Sequence, residues 1–236
     1  MILRNTRKEQ KANLGAQPWL TASQTRDVIK ALTADGAEAR FVGGCVRDTL
    51  DNRPVKDIDI ATPTKPTAVI KLLERSNIKA IPTGISHGTV TAVCKQKSFQ
   101  ITTLRHDVET DGRHAKVIFT DDWAADAKRR DFTINALSAD PTGEVYDYNE
   151  GISDLKHGKV RFIGNAQDRI DEDYLRILRF FRFQGVYGLP PLDDDAIAAS
   201  RSRAHKLSEL SGERVRDELL KILLVLNPAD ILCHMR

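Results

Sequence analysis

The sequence predicts an α/β head followed by an all-α neck, and two patterns carry this prediction. Residues 21–164 alternate between short strand patterns and helix patterns, as in a mixed α/β domain. Residues 165–236 contain helix patterns with no strand pattern between them. Residues 1–20 hold four basic side chains and one acidic side chain, so we expect a solvated basic arm ahead of the head.

The composition excludes several classes of protein. The 236 residues are 41% hydrophobic and 29% charged, which is typical of an ordinary globular protein. No apolar stretch is long enough to cross a bilayer and the N-terminus has no apolar signal core, so we expect a cytoplasmic protein. Three widely separated cysteines argue against a disulfide framework or a zinc site. A net charge of +3 is too small to identify a nucleic-acid-binding protein.

Periodicity and turn residues place the elements of the head. The expected elements are a helix over Thr21–Leu32, strands over Ala37–Val42 and Asp57–Ala61, a helix capped by Thr64 and ending at Arg75, a hairpin of Val90–Cys94 and Phe99–Arg105, a short helix over Phe132–Ser138, and strands over Val145–Tyr146 and Val160–Ile163. The polar segment His106–Lys116 contains Gly112 and lacks periodicity, which predicts a mobile loop.

The predicted neck consists of three helices, over Ala166–Phe183, Asp193–Leu207 and Gly212–Leu226. Pro228 resembles the start of another helix close to the last residue. We therefore expect a neck that is truncated before further domains or that continues in a second polypeptide.

Asp57 and Asp59 form the first candidate site. Residues two apart in a strand point to the same face, so the two carboxylates would lie side by side. Adjacent carboxylates repel each other and favour a cation, and oxygen ligands suit Mg²⁺, which also binds substrate phosphates. Two such ions could hold the attacking and leaving oxygens of a phosphoryl transfer. The alternative is a solvated acidic pair at a strand end.

Gly43 and Gly44 follow the strand that precedes this pair. Because glycine has no Cβ, the backbone N–H groups here could approach a triphosphate closely. The alternative is a simple tight turn.

Arg130, Asp131 and Asn135 lie at the head of a predicted helix. Arg130 could bind phosphate as a fixed cation. Asp131 and Asn135 are four residues apart, share one helical face, and could hydrogen-bond ribose hydroxyls. The alternative is a helix cap at Asp131 beside a basic surface patch.

Asp173 and Arg176 are three residues apart and would project from one helical face. Aspartate supplies only acceptors and arginine only donors, so the pair could match the Watson–Crick edges of cytosine and adenine. Uracil and guanine would leave a polar group unpaired, which selects against them. The alternative is an ordinary salt bridge on a helix surface.

These segments together resemble the class II CCA tRNA nucleotidyltransferases and the related bacterial poly(A) polymerases. The resemblance covers roughly residues 35–236 and rests on segments similar to the family's motifs A to E, namely FVGGCVRDTL with KDIDIAT, RRDFTINAL, YNEGISDL, EDYLR and GERVRDELLKIL. The run LRHDVETDGRHA is similar to the flexible loop of that family.

The resemblance implies a polymerase-β-like nucleotidyltransferase head and a neck that selects the nucleotide. It gives Asp57 and Asp59 the catalytic role and the binding of two Mg²⁺ ions. It gives nucleotide binding to Gly43, Gly44, Arg47, Asp48, Arg130, Asp131, Asn135, Glu172, Asp173 and Arg176. Glu213 and Arg214 of the fifth motif would brace the neck.

The implied activity is addition of CMP and AMP, from CTP and ATP, to the 3′ end of tRNA without a template. The alternatives are a poly(A) polymerase that adds only AMP and a non-catalytic remnant that binds RNA or nucleotide. Two departures bear on the choice. Gln100 stands where the wider superfamily places a third carboxylate. We also expect the chain to lack the body and tail domains that grip tRNA in the family, which a second chain could supply.

Overall fold

The computed structural model of the chain describes residues 12–110 and 115–236, without the side chains of residues 107–110, 115 and 116. Most of the predicted basic arm, residues 1–11, lies outside the described residues. The described chain contains ten strands and eleven α-helices, joined by loops and 3₁₀ turns. None of the described helices combines the length and the apolar character that crossing a membrane requires.

Eight of the described strands form one mixed sheet, and the other two form a separate ribbon. The strands are β1 (Ala12–Asn13), β2 (Arg40–Val42), β3 (Asp59–Thr62), β4 (Lys79–Gly84), β5 (Thr89–Cys94), β6 (Lys97–Thr103), β7 (Arg105–Thr110), β8 (Ala115–Phe119), β9 (Ser138–Ala139) and β10 (Glu144–Tyr146). Their order in the large sheet is β1-β10-β9-β2-β3-β6-β5-β4. Only the central pair β3 and β6 is parallel among these neighbours.

The helices flank the sheet and then form a separate layer after residue 165. They are α1 (Pro18–Thr21), α2 (Ser23–Leu32), α3 (Gly44–Leu50), α4 (Pro66–Arg75), α5 (Trp123–Lys128), α6 (Gly151–Lys156), α7 (Ala166–Glu172), α8 (Leu175–Tyr187), α9 (Asp194–Arg203), α10 (Gly212–Leu223) and α11 (Pro228–His234). Thr64 does not cap α4, because Lys65 occupies the N-cap position and Pro66 begins the helix. Proline fits there because its fixed φ suits the first helical turn and its missing N–H needs no partner.

Two hydrophobic clusters carry most of the packing among the described residues. The first lies between the sheet and helices α2 and α4, and its fully buried members include Phe41, Ile60 and Leu73. The second is centred on α8 and joins Phe180 to Phe132 and Phe162, which come from the segment before the neck. The rings of Phe132 and Phe162 are 4.7 Å apart between centroids. The second cluster therefore ties the end of the predicted head to the neck helices.

The prediction of a mobile loop over His106–Lys116 is wrong for the residues of this segment that the structure describes. Strands β7 and β8 pair there as an antiparallel ribbon, from Arg105 opposite Phe119 to Thr110 opposite Ala115. Residues 111–114 lie outside the described residues. Pairing between backbone groups needs no alternation of apolar side chains, so a search for periodicity passes over such a ribbon.

Three predicted elements are shorter or broken. The predicted helix over Ala166–Phe183 is two helices, because Asp173 is extended with φ −158° and ψ 105°. The predicted helix over Phe132–Ser138 is a 3₁₀ turn over Thr133–Asn135 that runs into β9. The predicted strand over Val160–Ile163 is reduced to one isolated bridge between Phe132 and Phe162.

A matched pair of leucine substitutions tests the second cluster. Leu178 is 2% exposed in that cluster, whereas Leu226 is 92% exposed. We expect Leu178→Ala to lower the free energy of unfolding by about 2–5 kcal/mol, because it removes buried methyl groups and leaves a cavity. We expect Leu226→Ala to change it by no more than about 0.5 kcal/mol. Urea unfolding of both variants measures the difference, and equal losses would contradict the described packing.

Candidate active site

A cavity of about 550 Å³ lies between the inner strands of the sheet and helices α8 and α10. The described residues that line it include Gly43, Gly44, Arg47, Asp59, Arg130, Asp131, Asn135, Asp173 and Arg176. These are nine of the residues singled out from the sequence: eight come from the four candidate groups, and Arg47 comes from the family resemblance. The volume is within the usual range for a site that encloses a small molecule.

Gly43 makes the turn from β2 into α3 at the edge of this cavity. Its φ is +69°, a backbone angle that residues with a Cβ rarely adopt, so this turn favours glycine. A Cβ here would also stand 3.2 Å from Nη1 of Arg130. The absent side chain therefore lets a guanidinium group lie directly against the backbone of the turn.

Asp59 is the first residue of β3 and lines the cavity. Burial raises the pKa of its carboxyl above the usual value, the Arg130 guanidinium opposes this rise, and the Asp57 carboxylate adds to it. Asp57 precedes the strand, is exposed, and is not among the lining residues. The two carboxylates thus interact electrostatically, although only Asp59 reaches the cavity wall.

Gln100 lies beside Asp59 on the neighbouring parallel strand. The two residues are register partners between β3 and β6, and both line the cavity. Among the described residues, no group of three or more His, Cys, Asp or Glu side chains could hold a metal ion. The neutral amide of Gln100 therefore occupies the place next to the carboxylate pair.

Asp131 is a buried carboxylate that accepts hydrogen bonds at both oxygens. Its Oδ1 accepts hydrogen bonds from the backbone N–H of Phe132 at 2.8 Å and from Nδ2 of Asn135 at 3.0 Å. Its Oδ2 accepts from Nε of Arg179 at 2.8 Å. Burial alone would raise the pKa of Asp131, but the Arg179 charge and these hydrogen bonds hold it below the usual value. Asp131 is thus ionised and fixed, and it does not cap the helix that we expected there.

Arg47 and Asp48 differ in their access to the cavity. Arg47 lines it, while Asp48 lies behind and binds Nη2 of Arg47 at 2.8 Å. The hydroxyl of Tyr187 on α8 donates to Oδ1 of Asp48 at 2.7 Å, and the Arg47 guanidinium lies 4.3 Å from the Tyr187 ring centre. Nη1 of Arg47 also donates to Oδ1 of Asn135. These contacts join α3 to the neck beside the cavity.

Asp173 and Arg176 both line the cavity, but they do not pair with each other. Asp173 lies between α7 and α8, and its Oδ2 accepts from Nη2 of Arg214 on α10 at 2.8 Å. Arg176 binds Glu172, which lies outside the cavity lining. The expectation that they share one helical face is wrong, because α7 ends before Asp173 and α8 begins after it.

Several arginines that the sequence motifs did not assign to the site also line the cavity. Among the described residues that line it are eight arginines and three aspartates. Those not assigned to the site are Arg105, Arg129, Arg179, Arg182 and Arg214. The spacing of Arg176, Arg179 and Arg182 at intervals of three residues would have indicated one cationic face of α8.

The family of the chain follows from a match over the residues that build this cavity. The model for the poly A polymerase head domain matches residues 39–161, just over half of the chain. The chain belongs to this family. Residues 191–236 match a second family, described as the probable RNA and SrmB-binding site of polymerase A. The resemblance drawn from the motifs is therefore confirmed.

Similar proteins of the poly A polymerase head domain family are CCA-adding enzymes. The mitochondrial CCA tRNA nucleotidyltransferase 1 of Homo sapiens is 46% identical over 214 residues, covering 88% of this chain and 49% of that protein. The CCA-adding enzyme of Oceanobacillus iheyensis is 41% identical over 209 residues, covering 88% of this chain and 50% of that protein. The chain spans about half the length of these relatives.

A solved structure confirms the predicted fold class. The crystal structure of the Bacillus stearothermophilus CCA-adding enzyme in complex with CTP matches with a TM-score of 0.83 and 35% identity. The match covers 93% of this chain and 52% of that chain. The head is therefore a polymerase-β-like nucleotidyltransferase domain, and helices follow it.

The pair of Asp131 and Arg179 makes a testable contribution to stability. The pKa of Asp131 is lower in the folded protein than in the unfolded chain. The ion pair therefore stabilises the protein above about pH 4, and this stabilisation is lost as the pH falls further. Asp131→Asn leaves a buried guanidinium unpaired and is expected to lower the free energy of unfolding at pH 7 by about 3 kcal/mol. The difference from the parent protein should shrink below pH 4. Urea unfolding between pH 7 and pH 3 measures it.

The double variant Asp131→Asn with Arg179→Met is the control for this prediction. It removes both charges and is expected to recover much of the lost stability, since no buried charge is left without a partner. If Asp131→Asn lowers the free energy of unfolding equally at every pH, the stabilising ion pair between Asp131 and Arg179 is contradicted.

Proposed function

We propose that this chain is the nucleotidyltransferase head and nucleotide-selecting neck of an enzyme that adds CMP and AMP, from CTP and ATP, to the 3′ end of tRNA. One observation carries the proposal: a single cavity brings together Asp59, the Gly43–Gly44 turn, the two arginines that follow α5, and Asp173 and Arg176 of the neck. The names of the relatives and the CTP complex of a similar structure support it.

The residues around the start of β3 fit divalent metal ions. The donor set consists of the carboxylates of Asp57 and Asp59 with the amide oxygen of Gln100 beside them. Mg²⁺ is bound in proteins by one or two carboxylates together with waters and substrate phosphates, so a third carboxylate is not required. Two bound Mg²⁺ ions would activate the 3′-hydroxyl of the RNA and stabilise the departing pyrophosphate.

The arginines and the glycine turn would bind the triphosphate. Gly43 brings the backbone within reach of a phosphate without a side chain in the way. Arg129 and Arg130 line the cavity near Asp59 and supply fixed positive charge where negative charge moves during transfer. Asn135 and Asp131 hold each other in the cavity wall and would orient the ribose.

Asp173 and Arg176 would read the base. A carboxylate has about four acceptor positions, so Asp173 can bind Arg214 and still accept a hydrogen bond from the amine of cytosine or adenine. Arg176 would donate to the acceptors on the same edge, while Glu172 holds its guanidinium through Nη1 at 2.5 Å. Uracil and guanine would present donors and acceptors in the opposite sense, which disfavours them.

The remaining parts of the proposal concern domains, partners and location. We retain residues 21–164 as the head and residues 165–236 as the neck, with the RNA 3′ end and a second, tRNA-gripping segment or chain as partners. The match of residues 191–236 to a probable RNA-binding family supports an RNA partner. The cytoplasmic location stays a prediction, because the human relative is mitochondrial by name.

The second candidate function is addition of AMP alone. It is favoured by the description of the matching family, which names poly A polymerase. The two candidates share the catalytic chemistry and differ only in the nucleotides that the neck accepts. Incorporation measured with each of the four nucleotides on tRNA that lacks its 3′ terminus distinguishes them, since CMP incorporation occurs in the first candidate alone.

Asp59→Asn tests the catalytic assignment. The substitution keeps the shape of the side chain but removes the charge, so we expect metal-dependent incorporation of CMP and AMP to fall by about a thousandfold or more. Asp121→Asn, an exposed aspartate outside the cavity, is the control and should retain activity. Retained turnover in folded Asp59→Asn protein would refute the assignment. Absence of any incorporation by the parent protein would favour the non-catalytic alternative.

Arg176→Ala tests base selection. The substitution removes the donors proposed for the base edge, so the preference for CTP and ATP over UTP and GTP should fall by about 10- to 100-fold. Arg216→Ala, which removes an exposed arginine of α10 that binds only its neighbour Asp217 among the described contacts, is the matched control. Selectivity is measured as the ratio of kcat/KM values for the four nucleotides. Unchanged ratios in the Arg176→Ala protein would contradict the proposed role.

A further inference from the structure

Asp126 is a buried carboxylate that lies behind the cavity wall. It is 3% exposed, belongs to α5, and is not among the residues that line the cavity. Its Oδ1 accepts from Nε of Arg129 at 2.9 Å, and its Oδ2 accepts from Nη2 of Arg130 at 3.2 Å. One carboxylate therefore holds two neighbouring guanidinium groups, each by a separate oxygen.

The same carboxylate also anchors the ribbon of β7 and β8. The backbone N–H of Arg105, the first residue of β7, donates to Oδ1 of Asp126 at 3.2 Å. Arg105 lines the cavity together with Arg129 and Arg130. The position of three cationic residues of the wall is thus linked to one buried group.

The charge of Asp126 is the wrong sign for attracting a phosphate. Burial would raise its pKa, but the charges of Arg130 and Arg129 and the hydrogen bonds lower it below the usual value, so the group is ionised. A negative charge behind the wall weakens the attraction of the cavity for an anion. Asp126 can therefore favour phosphate binding only through the positions in which it holds the guanidinium groups, and not through its own charge.

We propose that Asp126 is a positioning residue for triphosphate binding, which fixes Arg129 and Arg130 in the geometry that grips the phosphates. The proposal rests on the proposed function, since it assumes that the cavity binds a nucleoside triphosphate. Arginine that is held by a carboxylate loses less rotamer freedom when it binds phosphate, so the held arrangement binds more tightly than two free side chains. Nη1 of Arg130 also donates to the backbone oxygen of Asn135 at 3.4 Å, and it lies against the backbone of Gly43, where a side chain would crowd it.

Electrostatics and positioning make opposite predictions for Asp126→Asn. Removal of a negative charge makes the site more positive, so a purely electrostatic role predicts tighter binding of CTP. Loss of the hold on both arginines predicts weaker binding, by about tenfold or more. The defect should grow with the number of phosphates, so CMP binding should change little.

Calorimetric titration of the folded protein with CTP, CDP and CMP in the presence of Mg²⁺ tests the proposal. We expect Asp126→Asn to bind CTP about tenfold more weakly and CMP within about twofold of the parent protein, and Asp126→Glu to recover part of the CTP affinity. The control is Asp122→Asn, which changes the exposed carboxylate at the N-cap of the same helix; among the described contacts this carboxylate accepts hydrogen bonds only from the backbone N–H groups of Ala124 and Ala125. This control should bind as the parent does.

Arg129→Lys keeps the test decisive should Asp126→Asn unfold. It retains the positive charge but cannot reproduce the fixed Nε bond to Asp126, so CTP affinity should fall although the net charge is unchanged. CTP affinity equal to or above that of the parent in both variants would overturn the proposal and leave the proposed function intact. Equal losses for CTP and CMP would also overturn it, because they indicate general damage to the site. Failure of the parent protein itself to bind CTP would instead overturn the proposed function.

Discussion

The crowding of positive charge around one cavity is the constraint on which the site depends. Guanidinium groups that share a wall repel each other, and each needs a carboxylate behind it to stay in place. The structure meets this need with buried acids: Asp131 holds Arg179, and Glu218 holds Arg182 with 2.6 Å between Oε2 and Nε. Glu218 lies outside the cavity lining and Asp131 is paired within it, so the eight arginines that line the cavity outnumber its three aspartates and leave a cationic surface suited to a polyanion.

The acids also decide how the two parts of the chain meet. Asp131 belongs to the segment before the neck, whereas Arg179 belongs to α8, so this pair crosses between them. The hydroxyl of Tyr187 on α8 also crosses this joint, where it donates to Asp48 of α3. Burial raises the pKa of that hydroxyl to about 12, although the Arg47 charge opposes the rise. The second hydrophobic cluster lies behind these polar contacts and includes Phe132 beside Asp131. Apolar packing and ion pairs thus fix the same joint.

The sequence predicted the parts of the site that local chemistry determines. Asp59 and Ile60 alternate along β3 as expected, so one faces the cavity and the other the core. Gly43 could be recognised because a strand that runs into two glycines and then a helix favours a turn with positive φ. Gln100 could be placed beside the carboxylates only through the family resemblance, and the parallel register of β3 and β6 gives the physical reason.

The geometry around Asp173 could not be predicted, because it depends on contacts between distant segments that the periodicity of the sequence does not reveal. The helix pattern runs unbroken through residue 173, yet Asp173 is extended because its carboxylate accepts the N–H of Leu175 and so starts α8. The same extended geometry turns the carboxylate towards Arg214, 41 residues later. Neither contact can be read from spacing, because i to i+3 patterns describe a helix that continues.

This break affects the base-reading role that we propose for Asp173 and Arg176. If Asp173 and Arg176 were on one unbroken helix, they would bind each other and present a neutral pair to the cavity. The break gives each residue a different partner, Arg214 for the aspartate and Glu172 for the arginine, so both face the cavity as separate acceptor and donor groups. Selection of a base edge requires such separate groups. The interruption in the helix is therefore part of the structure that the proposed function needs, and the ion pair between Arg214 of α10 and Asp173 becomes part of the site.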